Sequence, residues 1–276
     1  MAGAAVRQLR IIRAQLRRRP SRRFPLRRKM IFRSDSIRMN RRHSVPTISI
    51  FVAAFLIQSG TLCASWRKPV SAKNGMVVSA ESLATQAGVD ILKNGGNAID
   101  AAIAVGFTLA VTYPEAGNIG GGGFMLIRLA NSTTTMIDFR EKAPAKASRN
   151  MYLDSNGNVI PMKSELGPLA AGVPGTVAGY LHALEKYGTL SRQRVIAPAI
   201  EAAVKGFPLS ERFVESLKQS MKEFSAFPST MNAFTKKGTP YEKGEILRQP
   251  DLANTLRNIS AFGVDGFYRG YIAELI

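Results

Sequence analysis

The chain has 276 residues, 45% of them hydrophobic, enough for one large domain or two small ones with a sizeable core. Its formal net charge of +19 would point to nucleic acid or an anionic membrane if it were spread over the fold. It is not: residues 1–65 hold 15 Lys+Arg against one acid, Asp35, leaving 23 basic and 18 acidic residues from 66 onward, with no basic stripe carrying interleaved aromatics, so a nucleic-acid partner loses most of its support.

Residues 1–38 carry 13 basic residues and no periodic apolar pattern, and are expected to be a disordered leader or the product of a start codon set too far upstream. From Met39, "MNRRHSVPTISIFVAAFLIQSGTLCAS" places Arg41 and Arg42 before an apolar run, Ile48 to Ile57, with Thr61, Cys63 and Ala64 after it. That is the layout of a secretory signal peptide over 39–64. The apolar run is too short for a bilayer, which needs roughly 20 helical residues, so export to the periplasm or the extracellular space is expected over a short membrane anchor. Cys63 is the single cysteine, which leaves no disulfide framework and argues against a thiol nucleophile. Leu62 just before it is too bulky for a lipoprotein signal. The two histidines, His43 and His182, are far apart in sequence, so neither a zinc ligand set nor a Ser/His/Asp triad can be assembled, and no cofactor or metal is expected.

A globular domain is expected from residue 65 to 276. "GMVVSAES" at 75–82 has the composition of a short strand, and Ala84, Ala87, Gly88, Ile91 and Leu92 then recur at helical spacing up to the stop at Asn94, Gly95 and Gly96. A second helix starts behind Asn97, a residue able to cap it, with Asp100 near its positive end. It runs through "AIDAAIAVGFTLAV", apolar nearly all round, and is therefore expected to be buried between layers.

"FMLIRLA" and "TTTMIDFR", joined by Asn131 and Ser132, predict a β-hairpin in which Ile137 and Phe139 share one face and Asp138 and Arg140 the other. Helices are predicted at Thr176 to Tyr187, introduced by "VPG", and at Arg192 to Lys205, ended by Gly206. Residues 210–276 read as helical and loop-rich, punctuated by Ser210, Pro228, Gly238, Gly244 and Gly263. This order fits an α/β protein whose sheet is covered by helices.

Between the second helix and the hairpin lies "GNIGGGGFM", residues 117–125. It is no Walker A loop, because Gly122 is followed by Gly123 and Phe124 instead of Lys and Ser/Thr. It is no dinucleotide fingerprint, because it precedes a strand and not a helix. What survives is backbone that either reaches positive φ or comes very close to another group, for packing or for a ligand. On spacing alone Arg140, at the end of a strand, reads as an ion pair with Asp138 or a solvated charge, although it is also the side chain best shaped to grip a carboxylate through two parallel hydrogen bonds. Glu141 and Lys142 read as exposed charges.

Four stretches, "NGGNAIDAAIAVGFTLAVTYPEAGNIGGGGFM", "IDFREKAPAKASRNMYLD", "GVPGTVAGYLHALEKYGTL" and "FYRGYIAELI", together resemble the large subunit of γ-glutamyltranspeptidases, or glutathione hydrolases. The resemblance runs in order from about Gly75 to Ile276. It implies an α/β fold, the αββα sandwich of N-terminal nucleophile hydrolases, and a precursor that cuts itself into a large and a small subunit. The new N-terminal threonine of the small subunit would be acylated by the γ-glutamyl group of glutathione or another γ-glutamyl compound, and would pass it to water or to an amino acid or dipeptide acceptor. A terminal threonine carries its own amine as general base, which is consistent with a sequence poor in histidine and cysteine. The resemblance assigns Arg140, in "DFRE", to the α-carboxylate of the γ-glutamyl group. The family's Thr-Thr-His motif is not found: "STTTM" at 132–136 lies in the predicted hairpin, lacks the histidine and comes too early. The nucleophile is expected beyond Ile276, and the 276-residue chain is expected to be a fragment without activity of its own. Related acylases acting on cephalosporin-type or poly-γ-glutamate substrates, and a non-catalytic binding protein on the same fold, are the alternatives. The sequons at Asn131 and Asn258 carry little weight.

Overall fold

A computed structural model of the chain describes residues 69–276, so the basic leader, the signal-peptide segment, His43 and Cys63 lie outside the described residues. The first described element is helix α1 (Ser82–Lys93), whose N-terminus is capped by the Glu81 carboxylate, which accepts the Ala84 N–H at 3.1 Å. The strand expected at 75–82 does not form. Its residues run without a ladder partner, with Val78 and Met76 82% and 53% exposed. β-composition favours a pleated, half-buried surface, and no neighbouring strand is there to supply one among the described residues.

The apolar helix is the centre of the domain. Helix α2 (Ala98–Thr112) begins with the Asn97 cap expected from the sequence, and Asp100 extends it to a capping box, the Asn97 side chain accepting the Asp100 N–H and the Asp100 carboxylate accepting the Asn97 N–H. Two thirds of its length is buried, including Ile103, Phe107 and Val111. Thr108 and Thr112 are tolerated there because their hydroxyls donate back to the carbonyls of Ala104 and Thr108. Near the C-terminus, the Gln249 side chain donates to the Val111 carbonyl at 2.8 Å, so a group the helix itself cannot pair is satisfied.

Around α2 pack α1, α3 (Thr176–Tyr187) and α4 (Arg192–Lys205), and α8 (Pro250–Phe262) lies against α4. Both α3 and α4 have the bounds expected from the sequence. Gly206, at φ 80°, ends α4 in backbone that favours glycine. The chain then forms a two-residue ladder, β3 (Phe207–Pro208) with β4 (Ile246–Leu247), and between them the helices α5 (Glu211–Gln219), α6 (Met221–Phe224) and α7 (Pro228–Phe234). Ser210 caps α5, Pro228 starts α7, and Gly263 at φ 67° ends α8, as their residue types suggested. Two short helices, α9 (Asp265–Tyr268) and α10 (Gly270–Leu275), close the chain.

The hairpin is present: β1 (Phe124–Arg128) pairs antiparallel with β2 (Thr134–Asp138), with Leu126 opposite Met136. Its turn is held by Asn131 Oδ1, which accepts the Thr133 N–H, and by Ser132 at φ 68°. Ile127 is buried and Ile137 and Phe139 turn inward, while Phe124, Leu126 and Met136 stand exposed on the other face. Among the described residues this hairpin and the β3–β4 ladder are the whole of the sheet, one part of the two-sheet sandwich expected.

Asp100 joins α2 to the α3–α4 turn. Fully buried, its carboxylate also accepts the N–H groups of Thr189 and Leu190 at 3.0 and 3.2 Å and the Thr189 hydroxyl at 2.7 Å. Burial alone would push this carboxyl up, but the hydrogen bonds from Asn97, Thr189 and Leu190 outweigh it and hold it below its ordinary value. Asn97 completes the link by donating its amide to the carbonyl of Tyr187, the last residue of α3.

Candidate active site

Arg140 stands two residues past the end of β2 and lies at a cleft of about 420 Å³ between the hairpin end and the start of α3, with Val173, His182 and Tyr268 among its other walls. The residue is exposed, and among the described residues its guanidinium forms no ion pair. The pairing with Asp138 that spacing allowed is replaced by a main-chain contact, in which the Asp138 carboxylate accepts the Arg140 N–H at 3.1 Å. The guanidinium carbon lies 5.9 Å from the centroid of the Phe124 ring, a cation–π contact that leaves its N–H groups available. A larger open cleft, about 710 Å³, runs between the α3–α4 turn and the end of α8. Its arginine, Arg192, is already committed to the carbonyls of Ser260 and Ala261.

The main chain that carries Arg140 is enclosed by glycines. A Cβ on Gly122 would stand 2.5 Å from the Phe139 carbonyl oxygen and 2.8 Å from the Arg140 Cα, and one on Gly175 would run into the same Phe139 carbonyl from the other side. The Phe139 ring is met in the same way by Gly123 and Gly179. None of the four glycines from 120 to 123 has a positive φ, so of the two uses left open by the sequence, the run serves close approach and not unusual backbone conformation.

The run has a second task. The Gly121 carbonyl accepts the N–H groups of Gly175 and Thr176, at 2.8 and 3.0 Å, at the start of α3. A carbonyl oxygen there meets N–H groups that have no partner within the helix and the positive end of its dipole. Reciprocal hydrogen bonds between Lys142 and Val173, 2.8 and 3.2 Å, close the far side of the segment. From the core side, Tyr180 makes edge-on contacts with Phe107 of α2 at 5.3 Å and with Phe139 at 5.5 Å. The position of Arg140 is thus fixed by main chain packed on main chain and tied through aromatic rings to the central helix.

Glu141 and Lys142 are exposed, as expected, though Lys142 also borders the cleft. Thr133, Thr134 and Thr135 lie at the turn end of the hairpin, and at ~3.3 Å per residue Thr134 is about 20 Å along the chain from Arg140, away from the cleft that Arg140 borders. His182 does lie on a helix, and one turn beyond Ala178 it faces the Arg140 cleft, a proximity that an i, i+4 reading from "VPGTVAG" could have found. Tyr268 was missed altogether: it stood in the quoted "FYRG" segment, but its partners are about 90 residues away. Among the described residues no group of three His, Cys, Asp or Glu side chains could hold a metal, and no helix is long and apolar enough to cross a membrane.

Residues 84–276 match the family model for γ-glutamyltranspeptidase. Among curated proteins, the chain is 57% identical over 212 residues to the glutathione hydrolase proenzyme of Pseudomonas sp. (strain A14), covering 76% of this chain and 37% of that protein. It is 53% identical over 211 residues to the glutathione hydrolase proenzyme of Escherichia coli (strain K12), covering 75% and 36%. Its structure superposes on the crystal structure of Helicobacter pylori γ-glutamyltranspeptidase with a TM-score of 0.74 at 50% identity, covering 75% of this chain and 60% of that one. The chain therefore spans little more than a third of the length of these curated relatives and carries part of the αββα N-terminal nucleophile hydrolase fold. With the family match spanning most of the described residues and the structure superposing over the same region, the chain belongs to the γ-glutamyltranspeptidase family.

Proposed function

We propose that this chain forms part of an exported glutathione hydrolase, in which Arg140 grips the α-carboxylate of the γ-glutamyl group. The observation that carries the role of Arg140 is a guanidinium that, among the described residues, has no acidic partner and borders a cleft, on main chain held from two sides. In the reaction, a threonine hydroxyl at the N-terminus of the small subunit attacks the γ-carbonyl carbon of glutathione. Its proton passes to the threonine amine and then to the departing amide nitrogen, releasing cysteinylglycine and leaving a glutamyl ester. Water, or the amine of an amino acid or dipeptide, attacks that ester and restores the hydroxyl. Arg140 takes no proton in this sequence. It holds the end of the substrate remote from the scissile bond, so that the γ-carbon meets the nucleophile in the right orientation. The small subunit comes from the same precursor, and export is supported by the signal-like sequence at 39–64.

The test uses the complete Escherichia coli relative with its matching stretch replaced by residues 84–276 of this chain. That enzyme should release glutamate from glutathione. Arg140→Ala should cost about 2–4 kcal/mol of transition-state binding, roughly 30- to 1000-fold in kcat/KM, with KM rising sharply. Arg140→Lys should recover little, because a point charge cannot reproduce a planar two-point grip. A KM that does not move in either variant removes Arg140 from the site.

A further inference from the structure

Helix α3 has an unusual start. Its N-cap is Gly175, which offers no side chain to accept a free N–H, and the steric reason is the Phe139 carbonyl pressed against it. The Gly121 carbonyl serves Gly175 and Thr176, but the Ala178 N–H, at the third helical position, also has no acceptor within the helix and needs a partner from elsewhere. It finds the Tyr268 hydroxyl at 3.2 Å, and that hydroxyl donates in turn to the Pro174 carbonyl at 2.9 Å. Tyr268 closes α9, its ring lies edge-on to the buried Phe267 at 5.0 Å, and it lines the Arg140 cleft.

We propose that Tyr268 is a positioning residue for Arg140, capping α3 in place of the side chain that Gly175 cannot have. By bridging the residues on both sides of Gly175, it holds the surface against which the Phe139 carbonyl rests. Through the Val173–Lys142 hydrogen bonds it also steadies the segment on the other side of Arg140. Tyr268→Phe deletes both hydrogen bonds and keeps the ring packing, leaving the Ala178 N–H and the Pro174 carbonyl to other partners.

This role rests on Arg140 being the carboxylate grip, and the experiment separates the two. In the full 276-residue chain, hydrogen exchange of Tyr268→Phe should show about tenfold less protection at Ala178, the equivalent of about 1.4 kcal/mol. Faster exchange is also expected at Lys142 and Val173, with the amides of α2 unchanged and Tyr271→Phe, at an exposed tyrosine, without effect. In the chimeric enzyme, Tyr268→Phe should raise KM for glutathione by about 3- to 10-fold with kcat within about twofold, and should add nothing in an Arg140→Ala background. Unchanged exchange at Lys142 and Val173, or a KM effect that persists in full without Arg140, overturns the proposal. A parent chimera that does not hydrolyse glutathione removes the proposed function, while exchange at Lys142 and Val173 still decides the role of Tyr268.

Discussion

Two neighbouring positions in the glycine run, Gly120 and Gly122, make a controlled pair. A Cβ on Gly120 meets nothing within 4 Å, whereas one on Gly122 would lie 2.5 Å from the Phe139 carbonyl oxygen and 2.8 Å from both the Arg140 Cα and the Glu141 nitrogen. Ordinary contact begins near 3.4 Å, so Gly122→Ala requires the Phe139 carbonyl to retreat by about 0.9 Å. Overpacking of that kind costs about 1–3 kcal/mol, and here the atoms that must yield are main chain, which cannot swing aside as a flexible side chain would. Gly120→Ala should be neutral or stabilising by up to about 1 kcal/mol, since alanine narrows the unfolded ensemble without meeting a neighbour. Urea unfolding of the two variants gives the stability difference directly. In the chimeric enzyme, a displacement near 1 Å at Arg140 should cost about 10²-fold in kcat/KM for Gly122→Ala. Equal behaviour of the two variants would refute the idea that this run serves close approach to the Arg140 segment.

The buried carboxylate gives a second prediction: Asp100→Asn should destabilise the chain by about 3 kcal/mol, because an amide cannot accept from all the donors that converge there. Because its folded pKa lies below the unfolded value of about 3.9, the stability Asp100 contributes is present in full well above that pH and is lost as pH falls through the folded value. Urea midpoints taken from pH 6 downward should therefore fall more steeply below about pH 4 in the parent chain than in Asp100→Asn, and parallel curves would contradict the assignment. Ser210→Ala, which removes the acceptor for the Phe213 N–H at the start of α5, should cost about 1 kcal/mol in the same assay.

The elements written in local chemistry were legible in the sequence: the Asn97 cap with Asp100 beside it, the hairpin turn at Asn131 and Ser132, and the stop at Gly206 all rest on neighbours within a few residues. Arg140 was legible as a type of side chain and as part of a family motif, but its spacing to Asp138 left an ion pair open. That carboxylate instead takes the Arg140 main-chain N–H, which period-2 alternation could not show. The segment at 75–82 misled because valines report a preference for a pleated surface without saying whether a neighbour exists. The two uses of the glycine run could not be separated either, since the atoms it approaches belong to residues 139–141 and 175–176, brought near only by folding. The same holds for Tyr268.

Helix α3 is anchored at both ends by different means: Gly121 and Tyr268 hold its start, and Asp100 with Asn97 holds the turn at its finish. Its 12 residues make a strut about 18 Å long at 1.5 Å per residue, on which a pivot of only about 3° around the finish would swing the start by about 1 Å. The start is where the strut bears on the Phe139 carbonyl. Asp100, which is in contact with neither the cleft nor Arg140, therefore bears on the position of the Arg140 segment from the far end of a lever, and under the proposed role of that arginine a loss of stability there should be felt first as a raised KM for glutathione in the chimeric enzyme.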